Sequence, residues 1–440
     1  MKTEFSPAQL ADPAVATSES QIRKCVRCGF CNATCPTYVL LGDERDSPRG
    51  RIYAIKDMLE NGRAPTAETV THIDRCLSCL ACVTTCPSGV NYMRLIDHAR
   101  AYINERYRRP LIDRTYRRLL GAILPHPARM RLAMALSRLV RPLAPSLARV
   151  APLKSAAAMI VLTPPRAAPL PPAKTVYPPT APERGRVALL QGCAEPVLKP
   201  EIRAATIRLL NRMGLEVVLT PGEVCCGSLV HHMGDENAAR AAARTNVSAW
   251  IREREHNGLD AILVTVSGCG TALKNYGFLL REDAAFADPA ATVSALACDV
   301  SEVIAQFGLP PATLGPGLTV AYQSACSLQH GQQINDLPAD LLTAAGFVVK
   351  RPAEAHLCCG SAGTYNILQP DIAAQLRDRK LANLSRLAPD VIASGNIGCI
   401  TQLSLAAGVS VVHTVQLLDW ATGGPNPLSS TSDLLKDFSA

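Results

Sequence analysis

Apolar and polar positions follow two different periods along the chain, and the change falls near Arg186. Before it, helical patterns predict short helices over 51–59 and 66–75, a longer one over 91–109, and a basic, proline-interrupted helical segment over 111–162. After it, short β-branched runs alternate with helical patterns. That alternation is typical of βαβ units, so we expect a parallel sheet with helices on its faces.

The elements predicted after Arg186 form two sets with the same order. The first set has strands at 187–190, 216–219 and 261–266 and helices at 201–213 and 237–255. The second set has strands at 318–322, 347–350 and 391–393 and helices at 338–345 and 371–387. Because both sets run strand, helix, strand, helix, strand, the sequence indicates two tandem copies of one unit.

Cysteines support this internal repeat. Each copy has one cysteine after its first strand, an adjacent pair followed by glycine after its second, and one more after its third. The first copy contains Cys193, Cys225, Cys226 and Cys269, and the second contains Cys326, Cys358, Cys359 and Cys399. The first three equivalent pairs are 133 residues apart and the fourth is 130 apart. Since loops at the carboxyl edge of a parallel sheet converge, we expect four thiols to meet in each copy.

Two further cysteine groups lie before residue 110, each with the spacing C-x2-C-x2-C-x3-C-P. This is the spacing of bacterial ferredoxins, in which the fourth cysteine of each run ligates the other cluster. The crossed pattern predicts one [4Fe–4S] cluster on Cys25, Cys28, Cys31 and Cys86 and another on Cys76, Cys79, Cys82 and Cys35. Structural zinc is the alternative, but zinc sites use C-x2-C pairs and need neither a third evenly spaced cysteine nor the Cys-Pro step.

The chemistry of the eight later cysteines stays open at the sequence level. Each set of four thiols could hold a further [4Fe–4S] cluster, bind zinc or act in thiol redox chemistry, or be structural. The seventeenth cysteine, Cys298, is predicted to be a small buried hydrophobe. His231, His232 and His356 lie near the cysteine pairs and are predicted to be loop or core residues rather than ligands.

Composition places the chain among globular proteins. Its 440 residues are 48% hydrophobic and 19% charged, and no apolar run approaches the roughly 20 residues that span a bilayer. With no apolar signal core at the N-terminus, we expect a cytoplasmic, reducing location, where cysteines at motif spacing indicate metal rather than disulfides. No nucleotide-binding glycine motif and no nucleophile elbow is present, so a partner must act on the organic substrate.

The net charge of +8 comes from one segment. Between Arg114 and Pro182 there are eleven lysines and arginines and no acidic residue, so the charge does not describe a nucleic-acid surface. We expect this stretch to dock on an acidic face of a partner protein or on anionic lipid, or to be a solvated helical face. Docking on a partner is favoured, because no strongly amphipathic face with Trp or Phe anchors is evident.

The sequence therefore predicts an α+β multidomain protein, in which a mainly helical ferredoxin-type domain with two clusters precedes two tandem α/β domains with parallel sheets. The predicted boundaries are an N-terminal lead (1–20), the ferredoxin-type domain (21–110), the basic helical segment (111–162), a proline-rich linker (163–184), and two Cys-Cys-Gly domains (185–310 and 316–435). We call the last two domains repeat one and repeat two.

Motifs in the ferredoxin-type domain resemble those of the iron–sulfur subunit of bacterial glycolate oxidase (glycolate dehydrogenase). The resemblance is carried by CVRCGFCNATCPTY (25–38), LGDE (41–44), SPRGRIY (47–53), DRCL (74–77) and TCPSGV (85–90), and it extends over about residues 20–435. It implies a complex in which separate FAD-binding subunits oxidise glycolate to glyoxylate and this subunit passes the electrons to an acceptor. Peripheral contact with the inner face of the cell membrane, through the complex, is compatible with that assembly.

The Cys-Cys-Gly repeats also resemble the cysteine-rich subunit of heterodisulfide reductase, lactate-utilisation iron–sulfur proteins and the small subunit of anaerobic glycerol-3-phosphate dehydrogenase. The fullest form of the motif ends in C-x-x-C, and here Val266 and Asn396 occupy the earlier of those positions. This departure argues against a disulfide reductase with noncubane clusters. The alternative functions are therefore such a reductase or an iron–sulfur subunit for lactate or glycerol-3-phosphate, and the ferredoxin motifs disfavour a zinc scaffold or redox sensor.

Overall fold

The computed structural model describes residues 1–165, 168, 174–314 and 317–429. As the periodicity predicts, the N-terminal part is helical and the C-terminal part contains two sheets covered by helices. The predicted boundary at 316, the predicted end of repeat two at 430–435, and linker residues 166–167 and 169–173 lie outside the described residues. Among the helices that the structure describes, none has both the length and the hydrophobicity needed to span a membrane.

The residues that precede the cysteine motifs pack on the ferredoxin-type domain. Its helices are α1 (Pro7–Leu10), α2 (Pro13–Lys24), α3 (Phe30–Ala33), α4 (Pro36–Leu41), α5 (Pro48–Glu60), α6 (Ala67–Asp74), α7 (Ala81–Thr84) and α8 (Tyr92–Arg106). The predicted polar lead at 1–20 is helical: α2 packs against α8 and buries Ile22. The ammonium of Met1 donates a hydrogen bond of 2.6 Å to the Cys25 carbonyl. The sequence did not predict α2, because a helix with a single buried apolar residue shows no hydrophobic period.

The basic segment has an apolar outer face. It forms α9 (Leu111–Ile123), α10 (Pro127–Leu139), α11 (Ala144–Ala148) and α12 (Lys154–Leu162). The large apolar side chains exposed by 47% to 78% on its first two helices are Leu111, Ile112, Leu119, Leu132, Leu136 and Leu139. The sequence analysis considered only Trp and Phe anchors, whereas aliphatic side chains form this exposed apolar face.

Several charges of this segment are neutralised within the chain. Arg117 lies 2.9 Å from both Asp74 and Asp113, and Lys154 lies 2.7 Å from Asp371. Arg131 and Arg138 donate hydrogen bonds to backbone carbonyls. The exposed arginines are Arg118, Arg129, Arg141 and Arg149. The fold therefore brings acidic residues that are distant in sequence to part of this basic stretch.

The two repeats contain sheets of the same topology. Repeat one has β1 (Val176–Tyr177), β2 (Gly185–Leu189), α13 (Glu195–Leu198), α14 (Pro200–Arg212), β3 (Leu215–Val218), α15 (Ser228–His232), α16 (Glu236–Asn257), β4 (Ala261–Val264), α17 (Ser267–Leu273), α18 (Tyr276–Leu279), α19 (Ala287–Leu296), β5 (Ala297–Asp299) and α20 (Val300–Phe307). Repeat two has β6 (Thr319–Tyr322), α21 (Leu337–Ala344), β7 (Val348–Lys350), α22 (Tyr365–Leu368), α23 (Pro370–Ser385), β8 (Val391–Ser394), α24 (Ile397–Ser404), β9 (Val411–His413) and α25 (Thr414–Ala421). The strands β1, β5 and β9 were not predicted.

Strand order confirms the duplication. The sheets run β1-β3-β2-β4-β5 and β7-β6-β8-β9, so the central strand of each repeat is its first predicted one. Neighbouring strands are parallel, for example Val187 opposite both Val217 and Ala261. Among the strands that the structure describes, only β1 pairs antiparallel, at the edge of its sheet. An edge position is what a proline-rich stretch allows, because proline cannot donate to a ladder on both sides.

The repeats share one core and one buried ion cluster. The largest set of buried apolar side chains includes residues of both sheets. On α25, the Asp419 side chain is 1% exposed and lies 2.6 Å from Arg208 and from Arg212, both on α14 of repeat one. Two guanidinium groups thus compensate one buried carboxylate across the boundary between the repeats.

Replacing Asp419 with Asn should destabilise the fold strongly. The substitution leaves two half-buried arginines facing each other, and removing one partner of a buried ion pair costs about 3–5 kcal/mol. We expect a loss of about 3 kcal/mol in the free energy of unfolding, measured by urea denaturation. Asp378→Asn is the matched control, because its side chain is 60% exposed beside Arg377. Equal effects of the two changes would contradict a structural role for the cluster.

Candidate functional site

Two cavities in the ferredoxin-type domain are lined by cysteines of both motifs. The first cavity has a volume of about 430 Å³, which includes space open to solvent. It is lined by the predicted set Cys25, Cys28, Cys31 and Cys86, and also by Cys82. The second, of about 320 Å³, is lined by Cys35, Cys76, Cys79 and Cys82. We call them the first and second ferredoxin sites. The structure thus brings each predicted set of four cysteines around one cavity.

The two cysteine loops share an unusual backbone conformation. Arg27 and Gly29 in the first loop have φ angles of 61° and 84°, and Ser78 and Leu80 at the same positions of the second loop have 51° and 62°. A residue other than glycine adopts this conformation at a cost of about 1–3 kcal/mol, so the surrounding structure must impose it. The shared strain indicates that both loops are shaped for the same kind of ligand.

The two ferredoxin sites differ in exposure. Cys28 is exposed at the first site, whereas Cys76, Cys79 and Cys82 at the second are 7–8% exposed. Burial raises the pKa of the Cys79 and Cys82 thiols well above the usual range. These thiols are therefore stable as thiolates only beside a positive partner, which iron provides.

Arg51 is a buried cation at the second site that the sequence did not reveal. The SPRGR stretch was interpreted as part of a family motif, and Ser47 caps α5. The Arg51 side chain is 1% exposed, and its Nη1 lies 3.8 Å from Cys35 Sγ. Its Nε donates a hydrogen bond of 2.6 Å to the His72 carbonyl. Nothing in the local pattern marks an arginine for burial, because its partners come from elsewhere in the chain.

Asp46 anchors this cation. It is fully buried and lies 3.3 Å from Arg51 and 2.9 Å from Arg75, and its Oδ1 is 2.9 Å from His72 Nδ1. With Asp43 and His72 it forms a group of possible metal ligands. Two guanidinium groups already neutralise Asp46, so this group is a counter-ion network that orients Arg51 toward the cysteines.

Repeat one gathers its four cysteines beyond the carboxyl ends of its strands. Cys225 Sγ lies 3.4 Å from Cys193 Sγ, and Cys226 Sγ lies 3.2 Å from Cys269 Sγ. Tyr276 is buried beside them and donates a hydrogen bond of 2.9 Å to the Cys226 carbonyl. Four sulfur atoms that are distant in sequence therefore form one buried cluster, as the strand pattern predicts.

Repeat two repeats this arrangement. Cys326 Sγ lies 3.8 Å from Cys358 Sγ, and a thiol hydrogen bond joins Cys359 to Cys399. Hydrogen bonds from Cys358 and Cys399 hold the pKa of Cys359 well below its usual range. All 17 cysteines lie within the described residues, and none forms a disulfide. Four convergent thiols with soft sulfur donors suit an iron–sulfur cluster or zinc.

Two carboxyl groups are buried beside the cysteines of repeat one. Burial raises the pKa of Glu195 and that of Glu223 to about 7. Glu195 accepts a hydrogen bond from the Thr265 hydroxyl, and Glu223 accepts one of 3.1 Å from the Trp250 indole. The sequence did not reveal either, because an acidic residue beside a cysteine gives no sign of its own burial.

Cys298 and the histidines near the cysteine pairs were predicted to be core or loop residues rather than ligands. Cys298 lies on β5 and packs against the core, as a small hydrophobic residue would. Its side chain is only half-buried, so the predicted full burial is wrong. Burial lowers the pKa of His232 to about 3, which keeps its imidazole neutral. The carbonyl of His356 lies 3.1 Å from Nε2 of the buried His330.

The second ferredoxin site lies against repeat two. Cys79 and Cys358 belong to one cluster of buried side chains, and Cys326 packs against it. The Tyr365 hydroxyl donates a hydrogen bond of 3.0 Å to the Arg75 carbonyl. After burial, Cys326 is the strongest influence raising the pKa of Cys79. Sulfur atoms of the two domains are therefore near neighbours.

Comparisons with known proteins agree with this division of the chain. Residues 21–90 match the family model described as a 4Fe-4S dicluster domain, and residues 187–274 and 320–404 each match the one described as a cysteine-rich domain. The glycolate oxidase iron-sulfur subunit of Escherichia coli (strain K12) is 40% identical over 421 residues, which is 96% of this chain and 99% of that protein. The chain belongs to the family of glycolate oxidase iron–sulfur subunits.

Two further relatives and one solved structure show lower sequence identity to the chain. The probable glycolate oxidase iron-sulfur subunit of Bacillus subtilis (strain 168) is 31% identical and covers 92% of this chain and 95% of its own length. Lactate utilization protein A of Bacillus licheniformis is 24% identical over 53% of this chain and 99% of its own length. A hypothetical protein from Helicobacter pylori has a similar fold, with a TM-score of 0.52 and 12% identity over 97% of this chain and 75% of its own.

The glycine after each cysteine pair should resist substitution. Gly360 has a φ of 88° and lies against Ala373, so a Cβ there would overlap the Ala373 carbonyl oxygen. We expect Gly360→Ala to destabilise the protein by at least about 2 kcal/mol, since strain and overlap add. Gly408→Ala is the control, because its φ is 71° but a Cβ would meet open space. Thermal unfolding that ranks the two variants equally would contradict the packing argument.

Proposed function

We propose that the chain is the iron–sulfur electron-transfer subunit of a flavin-dependent complex that oxidises glycolate to glyoxylate. The observation that carries the proposal is 40% identity over 96% of the chain to a glycolate oxidase iron-sulfur subunit. The oxidation releases two electrons and two protons from the substrate. FAD on separate subunits receives them, and this chain conducts the electrons to an acceptor.

The cysteines of the crossed motifs are proposed to hold two [4Fe–4S] clusters. Cys25, Cys28, Cys31 and Cys86 would bind one at the first ferredoxin site, and Cys35, Cys76, Cys79 and Cys82 the other at the second. A bound cluster supplies one-electron redox chemistry. Further clusters are proposed for Cys193, Cys225, Cys226 and Cys269 in repeat one and for Cys326, Cys358, Cys359 and Cys399 in repeat two, on the grounds of four convergent thiols in each.

The chain's own residues set the electrostatics of this path. At the second site, Arg51 places a buried positive charge 3.8 Å from Cys35 Sγ, and Asp46 holds it there. A nearby cation stabilises an anionic site and so raises its reduction potential. The low exposure of Cys76, Cys79 and Cys82 keeps water away from the sulfur atoms.

The first site is the proposed point of electron entry. Around the exposed Cys28, the side chains of Val26, Phe30 and Tyr53 are exposed by 67%, 62% and 59%. Exposed apolar side chains that surround a redox site are typical of a protein–protein contact. An FAD-binding partner that covers this patch would bring its flavin close to the first site. We propose that this assembly forms in the cytoplasm, where reduced thiols are maintained.

The match to lactate utilization protein A supports a second candidate, in which the substrate is lactate. That match covers 53% of the chain, however, whereas the glycolate oxidase subunits match it nearly end to end. Glycolate is therefore the substrate that we propose. A disulfide reductase is disfavoured by Val266 and Asn396 at the positions of the additional cysteines.

Iron analysis tests the cluster assignment. Anaerobically purified protein should contain at least about eight iron atoms per chain, the content of two four-iron clusters. Cys28→Ser should lower the iron content by about four atoms, one cluster's content, and broaden the signal of the remaining ferredoxin site, because the two motifs share their ligands. Cys298→Ser, which alters the unassigned cysteine, should leave the iron content unchanged. Stoichiometric zinc with little iron would overturn the assignment.

Reconstitution tests the dependence on a flavin protein. The isolated chain should not oxidise glycolate with an artificial dye, because its sequence has no nucleotide-binding glycine motif that would hold a flavin or nicotinamide. Addition of the FAD-binding subunits should restore dye reduction, and replacing glycolate with lactate should reduce the rate. Turnover by the isolated chain, free of flavoprotein, would show that the chain itself contains a catalytic site.

The outer face of the basic segment is the proposed second contact with the flavin protein. Its exposed arginines precede and follow the exposed leucines of α10 along the chain, and no acidic residue occurs between Arg114 and Pro182. Exposed apolar side chains and positive charges on one segment favour an acidic protein face, because apolar burial supplies affinity and the charges supply orientation. Anionic lipid at the inner face of the membrane is the other surface with this chemistry.

Charge reversal and truncation of this face separate the two surfaces. One variant combines Arg141→Glu with Arg149→Glu, and a second combines Leu136→Ser with Leu139→Ser. Each should weaken association with the flavin protein at least about tenfold, or 1.4 kcal/mol. Only the arginine variant should lose the salt dependence of that association. The control is Arg252→Glu with Arg254→Glu, exposed on α16. Unchanged association together with lost flotation on anionic vesicles would assign the face to lipid.

A further inference from the structure

Repeat two contains a buried positive charge without a carboxylate partner among the described residues. Lys380 on α23 is 2% exposed, and its Nζ donates hydrogen bonds to the carbonyls of Glu354 (2.9 Å) and Ala355 (3.2 Å). The Glu354 side chain is engaged by Arg379 and Asn383 instead. Burying an uncompensated ammonium costs several kcal/mol, so another group must supply the counter-charge.

The thiol cluster of repeat two lies close to this charge. Lys380 binds the carbonyls four and three residues before Cys358, and Gly360 of the same loop packs against Ala373 on the helix that carries Lys380. Burial lowers the pKa of Lys380, and Cys359, Cys358, Cys399 and Cys326 oppose that shift by favouring the ammonium form. Neutral thiols cannot balance a full positive charge. Thiolates that bind an iron–sulfur cluster can, because the cluster with its four thiolates carries net negative charge. The buried lysine therefore fits a site whose occupant is anionic.

Repeat one has a neutral amide at the equivalent place. The equivalence is set by the contacts Gly227–Ala239 and Gly360–Ala373, which join the Cys-Cys-Gly loop to the long helix in each repeat. Seven residues after each alanine, on the same face of the helix, lie Asn246 and Lys380. The Asn246 amide is fully buried and donates a hydrogen bond of 3.3 Å to the Cys225 carbonyl. The two thiol clusters thus share a geometry, and at this helix position repeat one has a neutral amide where repeat two has an ammonium group.

Location favours repeat two as the neighbour of the second ferredoxin site. Cys79 of the second ferredoxin site shares a buried cluster with Cys358, and the Thr84 hydroxyl lies 2.8 Å from His330 Nδ1 of repeat two. Repeat one meets repeat two nearby, where the Ser267 and Ser327 hydroxyls lie 2.6 Å apart. Position and charge therefore single out the same repeat.

We propose that Lys380 is a positioning residue for electron transfer, whose ammonium neutralises an anionic iron–sulfur centre on the thiols of repeat two and raises its reduction potential. The potential would then exceed that of a centre at repeat one. In the transfer this implies, the second ferredoxin site loses one electron and the repeat-two site gains it, with no proton moved. The inference rests on the electron-transfer role proposed above.

The test is a redox titration of the full chain, purified without oxygen and followed by electron paramagnetic resonance. In Lys380→Met, which keeps the length but removes the charge, one midpoint should fall by at least about 59 mV, which corresponds to a tenfold change for one electron. Lys380→Arg should restore it. Asn246→Lys should raise a different midpoint. In a Cys358→Ser background, which removes a ligand of repeat two, Lys380→Met should have no further effect.

Several outcomes would overturn the inference. Unchanged midpoints in Lys380→Met at full iron content would show that the charge does not act on a centre. Equal defects in Lys380→Met and Lys380→Arg would assign the residue a packing role. Wild-type protein with only the iron of the ferredoxin sites would also overturn it while leaving the proposed function intact. Absence of iron from the ferredoxin sites would instead contradict the proposed function.

Discussion

Gathering cysteine thiolates in a protein interior is the constraint on which the rest of this structure depends. Four negative sulfur atoms repel each other, and burial raises the pKa of thiols such as Cys79 and Cys82. The anionic form is stable only beside positive charge. Iron would supply most of it, and the chain contributes Arg51 at the second ferredoxin site and Lys380 in repeat two. Each of these cations is almost completely buried.

The backbone meets the same constraint in two different ways. In the ferredoxin-type domain, short loops take left-handed conformations at Arg27 and Leu80, and the surrounding helices hold them there. In the repeats, parallel strands instead bring separate loops to one sheet edge, and Gly360 lets its loop lie directly against α23. A loop site needs local strain, whereas a sheet-edge site needs long-range topology.

The cysteine sites follow one another from an exposed site to buried ones. The first ferredoxin site is at the surface beside exposed apolar side chains, and the second is buried against repeat two. Repeat one is joined to repeat two by a common core and by the Asp419 ion cluster. This member of the glycolate oxidase iron–sulfur subunits thus has its best-exposed site at one end of a series of cysteine clusters. That order is compatible with entry of electrons at the first site.

The sequence alone determined the cysteine spacing, the tandem repeat and the parallel sheets, because these depend on local periods and on counts along the chain. It did not reveal α2, whose single buried apolar residue Ile22 shows no period. The charge pattern of the basic segment was also misleading, since acidic partners such as Asp74 arrive from a distant helix. Burial of Arg51 and Lys380 was decided only by tertiary structure. A charged side chain looks the same in a sequence whether it meets water or a thiolate, and only the fold brings the thiolates to it.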